Sequence, residues 1–294
     1  MDFFVKFWGT RGSIPTPGYR TQVYGGNTSC VEIRIGDILI ICDGGSGLRE
    51  LGLDLMTRGL EKIVGHMFFS HTHWDHIQGF PFFVPAYIVE NTFYVYGSSA
   101  GDTRSFELLS GQMQSDYFPV NFSELSAHIL PRYLQDNSAD INGIEIHSME
   151  MNHPGGAIAY SFESEGFKVV YACDNELDTI LENKGVCLSN SEVARIIPKR
   201  FVDFARNADL LIGDGQYTDE EYTSKIGWGH SRATTLVDLA VQAGVKRLAV
   251  SHHDPLQSDE SVSKKIKACR NRAIELQSDL IVFGAREGME LRIE

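Results

Sequence analysis

The chain has 294 residues, 43% of them hydrophobic and 22% charged, with no low-complexity tract or internal repeat, which places it among ordinary globular proteins. No apolar run is long enough to span a membrane, and the start MDFFVKFWGTRGS lacks the basic, apolar and small-residue regions of a secretory signal, so a cytoplasmic protein with no membrane partner is expected. A net charge of −13 argues against an extended nucleic-acid surface, which needs many Lys and Arg contacts; a small phosphate ester is still allowed, because bound metal ions supply local positive charge.

In chain order, residues 3–8 read as a strand, and GTRGSIPTPG follows as a Gly/Pro loop. Residues 30–35 and 38–42 are two strands joined at Gly36-Asp37, a hairpin signal. DGGSG ends the second strand, and 48–59 fits a helix. HMFFS, 66–70, is a short apolar strand with HTHWDH directly after it, and 93–97 is another strand. The stretch 100–140 reads mostly as helix and loop. Residues 143–151 alternate as a strand and run into NHPGG. A second hairpin, 157–163 with 167–173, ends in CDNE. A buried strand at 208–215 precedes a helix at 233–243 closed by Gly244. KRLAVS is a strand running into SHHDP, 259–277 the last helix, and DLIVFGA the last full strand. Two strand-rich halves, each followed by helices and with no Pro/Ser-rich linker between them, predict one α/β domain over 1–294. Its two sheets pack together with helices outside. The stretches 100–140 and 178–205 are the candidates for lid or interface insertions.

Every polar cluster able to bind metal begins where a predicted strand ends, so residues distant in sequence can meet at one sheet edge. His71, His73, Asp75 and His76 fall within six residues. Residues two apart on extended chain point the same way, so His71 and His73 pair on one metal, and a turn after them aims Asp75 and His76 at a second. His153 completes three protein ligands at the first metal and leaves an open position. Asp174 is placed to bridge the two. The last ligand comes from His252 or His253; His252 directly follows the strand and is favoured. Five cysteines at 30, 42, 173, 187 and 269, an odd number with no CxxC, read as buried reduced thiols, with Cys173 nearest the chemistry. Asp43 is expected to tie down loops and Asp214 to hydrogen-bond a ligand histidine. Gly25, Gly26 and Asn27 read either as a substrate-facing backbone or as a plain turn. His66, His128 and His147 read as structural or surface residues.

HTHWDH resembles the HxHxDH motif of the metallo-β-lactamase superfamily, and His153, Asp174 and His252 arrive in the order that superfamily uses. The opening FWGTRGSIPTPG…YGGNTSC, GWGHS at 227–231 and SHHDP resemble the branch containing ribonuclease Z and cyclic-nucleotide phosphodiesterases. The resemblance implies an αββα four-layer sandwich of the metallo-β-lactamase fold and two divalent metal ions, Zn2+ first with Mn2+ or Fe as alternatives. It implies His71, His73 and His153 on one metal, Asp75, His76 and His252 on the other, Asp174 bridging, and a homodimer. Asp75 and His230 are the expected catalytic residues. Asp75 orients the nucleophile. His230 donates a proton to the leaving oxygen or binds the phosphate, the alternative being a capping-loop histidine beside Ser231 and Thr235. The expected activity is hydrolysis of a small phosphodiester such as a 3′,5′-cyclic nucleotide. A lactone or thioester hydrolase and a ribonuclease Z-type RNA 3′-end endonuclease are the alternatives, and a metal-dependent sensor without turnover a third. Against the RNA alternative stands the absence of the long basic Gly/Pro-rich arm with which ribonuclease Z holds transfer RNA.

Overall fold

A computed structural model describes residues 2–97, 104–185 and 193–294, and its strands form two seven-stranded sheets. In chain order they are β1 (Phe3–Gly9), β2 (Cys30–Ile35), β3 (Ile38–Cys42), β4 (Val64–Phe68), β5 (Thr92–Tyr96), β6 (His128–Pro131) and β7 (Ser138–Ile141). They continue as β8 (Ile144–Met151), β9 (Ala157–Ser164), β10 (Phe167–Ala172), β11 (Leu210–Asp214), β12 (Arg247–Ser251), β13 (Ile281–Gly284) and β14 (Glu290–Arg292). Contacts divide the chain into two compact units: Met1–Gly18 with Gly25–Ala139 and Arg286–Ile293, and Tyr19–Tyr24 with Asp140–Ala285 and Glu294.

The first unit holds the sheet β14-β1-β2-β3-β4-β5-β6. β1 alternates buried Phe3, Val5 and Phe7 with half-buried residues, the period of a pleated strand. β2 and β3 form the expected hairpin with Ile35 opposite Ile38, and β3 to β6 run parallel. The helix Gly47–Thr57 buries Leu48, Leu51 and Leu55, one stripe at helical spacing, in a core with Leu39, Ile41, Met67, Phe93 and Val95. Burying each such leucine contributes roughly 1.5–3 kcal/mol.

The second unit holds the sheet β13-β12-β11-β10-β9-β8-β7. β10 to β13 are parallel, and β8, β9 and β10 are antiparallel. All five residues of β11 are buried, as in a strand covered on both faces. Leu236, Val237 and Ala240 of the helix Ala233–Gln242 and Val262, Ile266 and Cys269 of the helix Asp259–Glu275 share a core with Val170, Leu211, Leu248 and Val250. Gly244 (φ 66°) ends the first of these helices as expected, its N–H donating to the Val241 carbonyl.

Three differences from the sequence reading are physical. β6 and β14, both outermost strands, and β7, also outermost, are three or four residues long and carry no clean alternation. The helix Lys199–Ala205 within 178–205 buries only Phe201 and Ala205. β4 ends at Phe68 rather than 70, because the Ser70 amide leaves the ladder to donate to Asp43. Cys30, Cys42, Cys173 and Cys269 are buried thiols that form no disulfide among the described residues, and Cys187 lies outside those residues. Among the described residues no helix is long and apolar enough to cross a membrane.

Candidate metal centre

In the first unit the donors sit at the carboxyl ends of two adjacent parallel strands, β3 and β4, where Cys42 is opposite Phe68. Open parallel sheets offer their ligand sites at that end. Asp43 leaves β3 with φ 59°. Its carboxylate accepts from the Ser70 amide (2.7 Å), the Ser70 hydroxyl (2.8 Å) and His76 Nδ1 (2.7 Å). This fixes the His76 ring with Nε2 turned away from Asp43, 3.3 Å from Asp75 Oδ2. His71 Nε2 and His73 Nδ1 converge to 2.8 Å with their rings 78° apart. Asp75 lies in the short helix Trp74–Ile77, and its Oδ2 accepts from the Ser13 amide at 2.6 Å. The helical turn lies directly on the DGGSG loop: a Cβ on Gly45 would come within 2.2 Å of the Asp75 carbonyl. His71, Asp75 and His76 are buried, and His73 is exposed.

In the second unit the same device is spread over three parallel strands. Asp174 follows β10, Asp214 ends β11 and His252 follows β12, with Ala172 opposite Gly213 and Asp214 opposite Ser251. Asp174 (φ 58°) and His252 (φ 57°) take the left-handed conformation seen at Asp43. For non-glycine residues that conformation costs roughly 1–2 kcal/mol, and it turns the strand-exit side chain toward the sheet end. His252 Nδ1 donates to Gln216 Oε1 (2.8 Å), and its Nε2 lies 3.3 Å from Asp174 Oδ1. His153 Nδ1 donates to the Gly229 carbonyl (2.9 Å), and its Nε2 lies 3.7 Å from Asp174 Oδ2. His230 Nδ1 donates to Asp214 Oδ2 (2.9 Å), and its ring stacks on His252 at 4.9 Å. Donor atoms of Asp174, His230 and His252 all lie within 4.8 Å of one another. His253 points elsewhere, its Nε2 at the Ala285 carbonyl (3.2 Å) and its ring edge-on to Tyr24.

Asp214 serves His230. Ser231 and Thr235 do not cap the helix Ala233–Gln242; they tie its start to the 174–178 loop, through Leu177 N to Ser231 Oγ (3.0 Å) and Thr235 Oγ1 to Asp178 (2.6 Å). Asn27 is bound through its amide and side chain to Glu287. His66 is held against Tyr94 and Tyr96, and burial, helped by Arg132, pushes its pKa down to about 4; His128 and His147 are exposed.

Two orienting residues were not read from the sequence. The buried Glu176 accepts from the Tyr222 hydroxyl (2.7 Å), the Gly227 amide (2.7 Å) and the Gly229 amide (2.9 Å), and so fixes the carbonyl that holds His153. Gly229 (φ 91°) tolerates no side chain, since a Cβ would lie 2.4 Å from His153 Nδ1. Gln216, which holds His252, is itself held by the buried Lys265, whose Nζ donates to the Gln216 carbonyl (2.9 Å) and Gln257 Oε1 (2.8 Å). Burial draws the Lys265 ammonium down to about 8. The sequence signals were faint: a Glu two residues after Asp174, and the Gly-x-Gly of GWGHS.

Chemically, each unit pairs imidazole with carboxylate. His76, His153 and His252 each give one ring nitrogen to an acceptor outside the donor set and present the other to a carboxylate within it. That is how metal-binding imidazoles are held in one tautomer. The donors suit divalent ions such as zinc, manganese or iron.

A beta-lactamase superfamily domain model matches residues 40–253. The ribonuclease Z of Thermoplasma acidophilum is 26% identical over 289 aligned residues, 88% of each chain. That of Haloarcula marismortui is 23% identical, covering 100% of this chain and 98% of its own. Among solved structures, the metallo-beta-lactamase fold protein YhfI from Bacillus subtilis aligns with a TM-score of 0.67 at 19% identity, and the short form of human tRNase Z with 0.63 at 19%; each covers 99% of both chains. The α/β class and the metallo-β-lactamase fold expected from the sequence therefore hold. The expectation of a small phosphodiester partner and no extended nucleic-acid surface does not: relatives matching over nearly the whole chain bear the names of RNA-cleaving enzymes. That expectation leaned on a net charge of −13, which sums over the whole chain and does not describe the field at one face, still less the charge that bound cations add. With a superfamily model spanning most of its length and divalent metal ions implied by the fold, the chain belongs to the beta-lactamase superfamily, as a hydrolase resembling ribonuclease Z.

Proposed function

We propose that residues 1–294 act as one metal-dependent phosphodiesterase domain that cleaves RNA, as an endonuclease near a 3′ end. The observation that carries this reading is the likeness to ribonuclease Z over 88% or more of the chain. The proposed ligands are His71, His73 and His153 for one divalent ion, Asp75, His76 and His252 for the other, and Asp174 for both, with zinc the first choice of metal. Such ions lower the pKa of a water and offset charge building on the phosphoryl oxygens. The rest falls to the chain. Asp75, fixed by the Ser13 amide, orients the attacking water. His230 donates its Nδ1 proton to Asp214, so Nε2 is the atom that passes a proton to the leaving oxygen, and Asp214 stabilises the imidazolium form.

The test is incubation of metal-loaded protein with a 3′-extended transfer RNA and an unrelated RNA of equal length, resolved on a denaturing gel, with Asp75→Ala and a chelator-treated sample alongside. Cleavage lost in both controls is the expected result. Intact RNA in every lane, from protein shown to carry metal, overturns the RNA reading.

A further inference from the structure

We infer that Trp228, with Lys225 across its ring, is a base-stacking residue for the RNA substrate, an inference resting on the RNA reading above. The loop bearing it is built in an unusual way. The amides on both sides of Trp228, those of Gly227 and Gly229, turn inward to the buried Glu176 carboxylate at 2.7 and 2.9 Å. The residue between them is left outside: Trp228 is 58% exposed. The Trp228 amide closes the turn on the Lys225 carbonyl (3.1 Å), and Lys225 Nζ sits 3.8 Å from the indole centroid. The loop's own anchor is Glu176, so the indole is not what holds the loop.

A large aromatic ring held in solvent on a pinned backbone has a specific use. Every nucleobase offers a flat π-face to it, whatever the sequence, and a fixed platform loses little freedom on binding. The lysine beside it supplies the positive charge that a phosphate backbone requires. The platform is also placed by the catalytic loop. Gly229, the next residue, holds His153 through its carbonyl, and His230 follows. Two residues of chain span at most about 7 Å, so the backbone that carries Trp228 lies beside the backbone that carries His230.

The test is a coupling measurement. Equilibrium binding of a fluorescein-labelled RNA is compared with that of the same RNA made abasic, one position at a time, beside the cleaved bond. The proteins are the unaltered chain, Trp228→Ala and Trp228→Phe. We expect Trp228→Ala to weaken binding of intact RNA about 5- to 150-fold and Trp228→Phe to weaken it less, the ring still stacking. At one abasic position the unaltered protein should lose the same factor and Trp228→Ala nothing further. Equal binding by all three proteins, or losses that multiply at every abasic position, overturns the inference while leaving the RNA reading intact. An unaltered protein that neither binds nor cleaves RNA overturns both. If Trp228→Ala also loses metal, the decision passes to Trp228→Phe, whose smaller loss must vanish at the same abasic position.

Discussion

The two units arrive at similar donor sets by opposite routes. In the first, His71, His73, Asp75 and His76 come from a single segment behind β4, and one residue, Asp43, reaches across from β3 to fix His76. In the second, His153, Asp174, His230 and His252 come from four segments, each fixed by a different partner: Gly229, the strand exit itself, Asp214 and Gln216. A contiguous motif needs little of the fold to gather its donors. A dispersed set depends on strand register and on a longer train of supporting residues, so damage to packing should reach it first.

The largest effect should come from removing one carboxylate on each side. With Asp75→Ala or Asp174→Ala we expect hydrolysis to fall below detection. Bound metal, measured by mass spectrometry of native protein, should fall further for Asp174→Ala, because that residue faces His153 and His252 together. Equal metal loss would erase the proposed asymmetry, and full metal retention by Asp174→Ala would remove it from the ligands. Next in size is His230→Ala, which should lower turnover by about 10²–10⁴ with metal content unchanged, the range of a lost general acid. Loss of metal instead would make His230 a ligand, a role its proximity to Asp174 and His252 allows.

The orienting residues sharpen the comparison at smaller amplitude. Asp43→Asn and Glu176→Gln should each weaken metal affinity about 10- to 100-fold in a chelator competition. Both should also show it in thermal unfolding. Each carboxylate answers three donors, Asp43 at the neighbouring strand end and Glu176 from Tyr222 and the 227–229 loop, so leaving one of them without an acceptor should cost each variant about 1–3 kcal/mol as well. A Glu176→Gln protein with unchanged Tm and weakened metal binding would show that the loop needs no anchor.

The same contrast explains what the sequence made legible. HTHWDH is a local pattern, and its chemistry follows from spacing. The apolar runs of β3, β4, β10, β11 and β12 are long enough to read, so the places where strands end, and with them Asp174 and His252, were legible too. Choosing His252 over His253 rested on knowing where β12 stops. The supporting residues were not legible, because nothing local marks Glu176 or Gln216: their roles exist only once the 227–229 loop and β12 have come beside them. The three short outermost strands escaped for a related reason, since the sheet neighbour, not the segment, makes them strands. The substrate was misread because a whole-chain charge stands far from the local field at a site.

The smallest effect tests the outermost support, the run from Lys265 through Gln216 to His252. Burial lowers the Lys265 pKa to about 8 from a usual 10.5. Below pH 8 both folded and unfolded chains carry the proton, and the folded state bears the full cost of a buried ammonium. Between pH 8 and 10.5 the folded chain has released a proton that the unfolded chain still binds, so stability rises with pH through this window. Above it neither state is charged and the cost is gone. Lys265→Met abolishes this titration. In urea unfolding of chelator-treated protein, the stability of the unaltered chain minus that of the variant should therefore climb between pH 7.5 and pH 10, by a few kcal/mol at most. A difference that stays flat would mean that the ammonium remains charged and hydrogen-bonded throughout, and that Gln216 is held by a permanent ion rather than by a lysine close to losing its proton.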